Sequence, residues 1–168
     1  MSLDFDSIRA AHERIRPHVH RTPVLTSSRL NEASGAKLFF KCENFQKIGA
    51  FKARGATNAV FTLDDATAGR GVATHSSGNH GAALARAAKL RGISAHVIMP
   101  SNSAKVKVRA LEGYGAQIIF CEPNDASRKA ACADVIAKTG ATLIHSFENE
   151  DVMAGQGTAA VELLEDAD

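Results

Sequence analysis

The stretch GVATHSSGNHGAALARAAKLRGISAHVIMP, residues 71–100, decides the fold class. It opens with a short β-branched run and passes through a Ser-Gly-Asn turn into an Ala-rich segment of helical length. It then stops at Gly92 and returns to an apolar run at 95–99. A strand, a helix and a second strand at this spacing imply a right-handed βαβ crossover between parallel neighbours. The alternation continues, with strands expected at 72–74, 95–99, 117–121 and 142–144 and helices at 79–90, 103–114 and 125–139, each helix ending near a glycine. The short apolar runs suit a parallel sheet covered on both faces, so the expected class is α/β with a small doubly wound domain.

Outward from this unit the pattern is less regular. Ile8, Ala11 and Ile15 stand at helical spacing over about 4–18, and Pro17 ends the run. Residues 21–25 read as extended, Ser27 as the cap of a helix that stops at Gly35, and the aromatic-rich 37–42 as a strand. Helical spacing returns over 51–63 after a turn at Gly49, and a last helix, around 152–164, is read as following Gly155 and Gly157.

Composition narrows the function classes. The 168 residues carry 20 Lys plus Arg against 18 Asp plus Glu, a formal charge of +2, and 45% of them are hydrophobic, which argues against disorder. The basic residues are scattered, so no footprint for nucleic acid is visible, and the longest apolar runs fall far short of the ~20 residues of a membrane helix. Cys42, Cys121 and Cys132 are odd in number and lack CxxC spacing, which reads as free thiols in a reducing compartment. The acidic N-terminus has no signal-peptide character, and the expectation is an unprocessed cytoplasmic protein.

Two segments carry chemistry. Ser76-Ser-Gly-Asn-His-Gly81 lies between an expected strand and an expected helix, at the carboxyl edge of a parallel sheet where ligands bind. A helix N-terminus there offers free N–H groups to an anion, phosphate or carboxylate, although a simple capped βα turn has the same composition. Gly49-Ala-Phe-Lys-Ala-Arg-Gly55 sets a lysine at a helix start beside an aromatic ring. A lysine among apolar groups has its charged form disfavoured and its amine available as a nucleophile, whereas most such lysines are solvated. Arg54 reads as an anion clamp or as a structural ion-pair partner. His18 and His20 lack a third ligand at metal spacing, so no metal site is expected. The acidic tail Glu162, Glu165, Asp166 and Asp168 reads as a solvated helix end.

Five segments in order change this reading. Thr22-Pro23, Lys41-Cys-Glu-Asn44, Gly49-Ala-Phe-Lys-Ala-Arg-Gly-Ala56, Ser76-Ser-Gly-Asn-His-Gly81 and Ala154-Gly-Gln-Gly-Thr158 resemble the fold-type II pyridoxal-phosphate enzymes, most closely the threonine dehydratase and serine racemase group. The resemblance implies a tryptophan synthase β-like fold with pyridoxal 5'-phosphate as cofactor. It makes Lys52 the residue that bonds to the cofactor and then shuttles the α-proton, with Phe51 as its aromatic neighbour and Asn79 as the partner of the cofactor's phenolic oxygen. Ser76, Ser77, Gly78, Asn79 and His80 match the loop that holds the substrate carboxylate, and Ser77 matches the residue opposite the lysine in racemases. Two departures stand out: Ile48-Gly-Ala50 replaces the usual Thr-Gly-Ser, and Ala82 replaces a common glutamine.

Members of that group are roughly twice as long. The resemblance therefore implies a complete small domain at 65–148 and a partial larger domain at 1–64 and 149–168. The phosphate cup, the partner of the pyridine nitrogen and the divalent-cation site of many members would lie beyond Asp168, and the full-length form would be a homodimer. The implied reaction is dehydration of a β-hydroxy amino acid (threonine, serine or hydroxyaspartate type) to a 2-oxo acid and ammonia. Serine racemisation, a truncated noncatalytic remnant that binds a partner, and a generic anion-binding module are the alternatives.

Overall fold

The computed structural model describes residues 3–76 and 78–167. Helix α1 (Phe5–Ile15) starts in a capping box in which the Ser7 backbone N–H donates to the Asp4 carboxylate at 2.8 Å, and it buries Ala11 and Ile15. A short antiparallel ladder joins β1 (Val24–Leu25) to β2 (Phe40–Lys41), with α2 (Ser28–Ser34) between them. Ser27 caps α2, and Gly35 ends it in the left-handed region at φ 66°. The strand expected over 37–42 shrinks to Phe40 and Lys41. β1 offers only two residues to pair with, and the Leu38 N–H is taken by the Asn31 side chain at 2.8 Å.

Two short 3-10 turns, Glu43–Phe45 and Lys47–Gly49, lead into α3 (Lys52–Thr62). The one-turn α4 (Asp65–Ala68), which periodicity alone does not reveal, is capped by Asp64.

From Val72 the alternation runs as expected: β3 (Val72–Thr74), α5 (Asn79–Arg91), β4 (Ala95–Pro100), α6 (Lys105–Gly113), β5 (Gln117–Cys121), α7 (Asp125–Thr139), β6 (Thr142–Leu143) and α8 (Glu150–Asp166). The four strands are parallel in the order β5-β4-β3-β6. The chain thus steps outward from β3 to β5 and then crosses back to place β6 on the other side of β3. That reversal makes the carboxyl end of β3 the switch point where a ligand crevice opens.

Side chains alternate across the sheet. Val72, Val97 and Met99 meet the alanines of α3 and α5 and Leu111 of α6, while Ala73 and Ile98 meet Cys132 of α7. Small residues let α3 lie close to both α5 and α8. A Cβ on Gly155 would stand 2.6 Å from the Gly55 Cα and 2.8 Å from the Arg54 carbonyl oxygen. Gly155 and Gly157 therefore lie inside α8, not ahead of it, and Gly155 is the contact point of the helix crossing. No helix among the described residues is long and apolar enough to cross a membrane.

Candidate active site

The approach to Lys52 is a tight turn. The buried Gln46 side chain accepts the His20 N–H at 2.8 Å and donates to the His20 carbonyl at 2.7 Å, which anchors the turn on the N-terminal segment. Ile48 then adopts φ 60° and Gly49 φ 72°. A β-branched side chain in the left-handed region is strained, and strain of this kind clusters at ligand sites.

Lys52 is the first residue of α3, whose N-terminus lacks a side-chain cap. Its Nζ donates to the Ser146 carbonyl at 2.8 Å and lies 5.1 Å from the centroid of the Phe51 ring, itself 44% exposed. Desolvation holds the amine below the ordinary lysine range.

Two residues on, Arg54 is 0% exposed and is a structural ion-pair partner. It donates from Nε and an NH2 group to Glu43 at 2.8 Å, and to Glu162 at 2.8 and 2.9 Å. Burial works against the charge of Arg54, but the hydrogen bonds to Glu43 and Glu162 more than offset it and raise the guanidinium pKa. Lys41 joins the network through Glu162 at 2.9 Å, Thr22 donates to Glu43 at 2.6 Å, and Thr158 accepts from Arg54 at 3.2 Å. Burial pushes Glu162 up, yet Arg54 and Lys41 hold its carboxyl below the usual range. The reading of the acidic tail as a solvated end is thereby corrected at Glu162; Glu165 and Asp166 are exposed, and Asp168 lies outside the described residues. Glu162 is 3% exposed because it faces Arg54 and Lys41, and Asp166 pairs with Arg21 and Lys41.

The loop after β3 supplies the second part of the site. Ser76 and Gly78 are half-buried and Asn79 is exposed; Ser77 lies outside the described residues. α5 starts from Gly78, and among the described residues no side chain caps its first N–H groups, the arrangement that suits an anion. A Cβ at Gly78 would meet nothing within 4 Å, whereas one at Gly81 would collide with the Ser76 carbonyl and stand 3.2 Å from Val97 Cγ1. The loop needs glycine at 81 to close on itself, and it opens onto free space at 78.

His80 is turned inward. It is 2% exposed, with Nε2 3.0 Å from the Ile144 carbonyl, and desolvation lowers its pKa to about 4. A cleft of about 560 Å³ is lined by His75, Ser76, Gly78, Arg128, His145 and Ser146 among others. A smaller hollow of about 190 Å³ has Gly78, Asn79 and Ile48 in its wall. Both hollows border Gly78, and the larger borders Ser146, the acceptor of Lys52.

The structure thus brings Lys52, Phe51, Ser76, Gly78 and Asn79 to one region, while His80 contributes its ring to the interior. Ser146 left no mark in the sequence because it acts through a backbone carbonyl 94 positions away. Glu43, whose position in the Lys-Cys-Glu-Asn segment was part of the resemblance, gains its role only with Arg54.

The family model described as "Pyridoxal-phosphate dependent enzyme" matches residues 15–168. The chain is 55% identical over 164 residues to a β-hydroxyaspartate dehydratase of Paracoccus denitrificans, covering 98% of this chain and 52% of that protein. It is 52% identical to a serine racemase of Oryza sativa subsp. indica, covering 98% and 49%. The structure of maize serine racemase superposes with a TM-score of 0.96 at 51% identity, covering 99% of this chain and 51% of that one. The chain spans about half the length of the curated relatives it matches. Its motifs, parallel sheet and the extent of these matches place it plainly: the chain belongs to the fold-type II pyridoxal-phosphate-dependent enzyme family.

Proposed function

We propose that this chain supplies the lysine wall and the carboxylate loop of an enzyme that acts at the α-carbon of a small β-hydroxy amino acid. Racemisation is the first reading, because serine racemases recur among the relatives. Dehydration to a 2-oxo acid and ammonia is the second, favoured by the likeness to a β-hydroxyaspartate dehydratase. The observation that carries the proposal is a desolvated amine held on the Ser146 carbonyl, a residue that lines the same cleft as Ser76 and Gly78 at the start of α5. Residues 65–148 are proposed as the small domain and residues 1–64 with 149–168 as part of a larger one.

The residues present fit pyridoxal phosphate. Lys52 offers a primary amine whose charged form is disfavoured and whose hydrogen bond goes to a single neutral carbonyl. Phe51 presents an exposed ring face, Asn79 an exposed amide, and Gly78 borders open space. When bound, the cofactor supplies an aldehyde for an amine and a conjugated ring that takes up the electron pair left at the α-carbon.

Lys52, Phe51 and Asn79 would hold the cofactor. The free N–H groups at the start of α5, with Ser76 and Ser77, would take the substrate carboxylate and so fix which bond at the α-carbon faces Lys52. Nζ of Lys52 would remove the α-proton from that face. Return of a proton from the other face, the role proposed for Ser77, inverts the centre. Departure of the β-hydroxyl as water, followed by hydrolysis, yields the 2-oxo acid and ammonia.

Incubation of the protein with pyridoxal phosphate and L-serine, read for D-serine and for pyruvate plus ammonia, tests this. D-serine that disappears in Lys52→Ala is the expected result. Pyruvate alone selects the second reading, and neither product from serine or hydroxyaspartate overturns both.

A further inference from the structure

The connection that leaves β6 is held at two carbonyls by two residues of the motifs. The Ile144 N–H completes the sheet by donating to the Ala73 carbonyl at 2.9 Å, and there the ladder ends. The Ile144 carbonyl, one residue past the end of β6, lies 3.0 Å from Nε2 of His80. Two residues on, the Ser146 carbonyl receives Nζ of Lys52 at 2.8 Å. The backbone between them is therefore gripped from α5 on one side and from α3 on the other.

The chemistry of the imidazole is fixed by this contact. A carbonyl only accepts, so Nε2 carries the hydrogen and the neutral ring leaves a lone pair on Nδ1. That Nδ1 is buried and meets no partner among the described residues. Protonation would place an N–H there without an acceptor, close to the positive charge of Lys52 and to His75 and His145, the titratable groups that face the ring. His80 is thus a poor proton carrier and a fixed donor. Its burial also removes its ring from the substrate cleft.

We infer that His80 is a positioning residue: by holding the Ile144 carbonyl it sets the Ser146 carbonyl where the Lys52 amine rests whenever that amine is not bonded to cofactor. The role rests on the proposed function of Lys52. With the resting place fixed, the half-buried lysine keeps its amine on Ser146, which borders the cleft, poised to take or return a proton. Without it, the connection drifts, the amine swings toward solvent and its basicity returns toward that of an ordinary lysine.

The test is selective labelling. The protein is treated with sub-stoichiometric pyridoxal phosphate and borohydride across a pH series, and the adduct is mapped by mass. In the wild type, Lys52 is expected to label ahead of other lysines with a midpoint below theirs. In His80→Leu, the preference should fall roughly fivefold, the value of one hydrogen bond of ordinary net strength, and the midpoint should rise. His80→Gln, whose amide nitrogen can occupy the place of Nε2, should restore both. Should the Leu variant fail to fold by circular dichroism, His80→Asn takes its place, its amide being too short to reach.

An unchanged preference and midpoint in a folded variant without the donor overturns the positioning role and leaves the proposed function standing. A wild type without any preference for Lys52 overturns both. A lowered melting temperature alone, with labelling intact, marks His80 as merely structural and contradicts the inference.

Discussion

The two walls of the site are built on different physics. On the lysine wall, the first turn of α3 is locked by charge: Arg54, with no exposed surface, bridges Glu43 from the N-terminal ladder region and Glu162 from α8. On the loop wall, α5 is locked by volume. Its alanines and Gly81 allow the helix, the Ser76 carbonyl and Val97 to approach as closely as they do, and the polar anchor at its N-terminal end is a neutral imidazole, while Arg86 and Arg91 tie down its far turns. A wall held by charge fails when a partner is removed, and a wall held by volume fails when a methyl is added.

The largest expected break is on the charged side. Glu162→Ala leaves Arg54 and Lys41 without their shared acceptor while Glu43 and Asp166 remain, so the cost should lie at the low end of the range for a broken buried pair, about 3 kcal/mol. Urea unfolding is the check, and a loss below about 1 kcal/mol would show that solvent reaches Arg54.

Acid probes both sides together. The folded pKa of His80, about 4, lies below the 6.5 of an unperturbed histidine, so the unfolded chain binds the extra proton first. Stability should therefore fall as pH drops from about 6.5 toward 4, by up to about 3 kcal/mol from this residue. Glu162, held low, works in the same direction at the acid end of the range. Denaturation curves at pH 7 and 5 in the wild type and in His80→Gln isolate the His80 share, because the Gln variant should lose it and keep what the desolvated His75 and His96 contribute in the same direction.

Gly81→Ala should cost about 1–3 kcal/mol, as overpacking against a backbone atom does. It should also weaken anion binding at the loop more than it affects Lys52 labelling. Equal loss of both would dissolve the distinction between the walls. The smallest effect is expected from Asn149→Ala, which removes the cap that accepts the Val152 N–H at 2.8 Å at the start of α8, for about 1 kcal/mol and no change in either wall.

How much of this was legible in the sequence divides along the same line. The volume-locked half was readable almost residue by residue. β3, β5 and α7 span the expected positions, since strands buried on both faces and helices ended by glycine leave strong local signals. The charge-locked half was not. Glu162 looks like any acidic residue near a helix end until α8 is laid across α3, and the pairing that buries it spans 108 positions. The strand expected at 37–42 failed for a related reason, because its extent is set by the two residues that β1 presents and not by its own propensity.

The motif residues themselves tell the same story. Thr22, Lys41, Glu43, Arg54 and Thr158, scattered over four of the five segments, meet in one hydrogen-bonded network. Their resemblance marks the support of the lysine as much as the chemistry. Local propensity gives no sign of that network, because its charged members meet partners distant in sequence, from other segments of the chain.

The central claim is that Lys52 is the amine that engages the cofactor, and reductive trapping tests it most directly. With sub-stoichiometric pyridoxal phosphate and borohydride near neutral pH, the mass-mapped adduct is expected on Lys52, whose charged form is disfavoured by burial. An adduct spread over exposed lysines such as Lys105, Lys107 and Lys129, with Lys52 unmodified, would contradict the account.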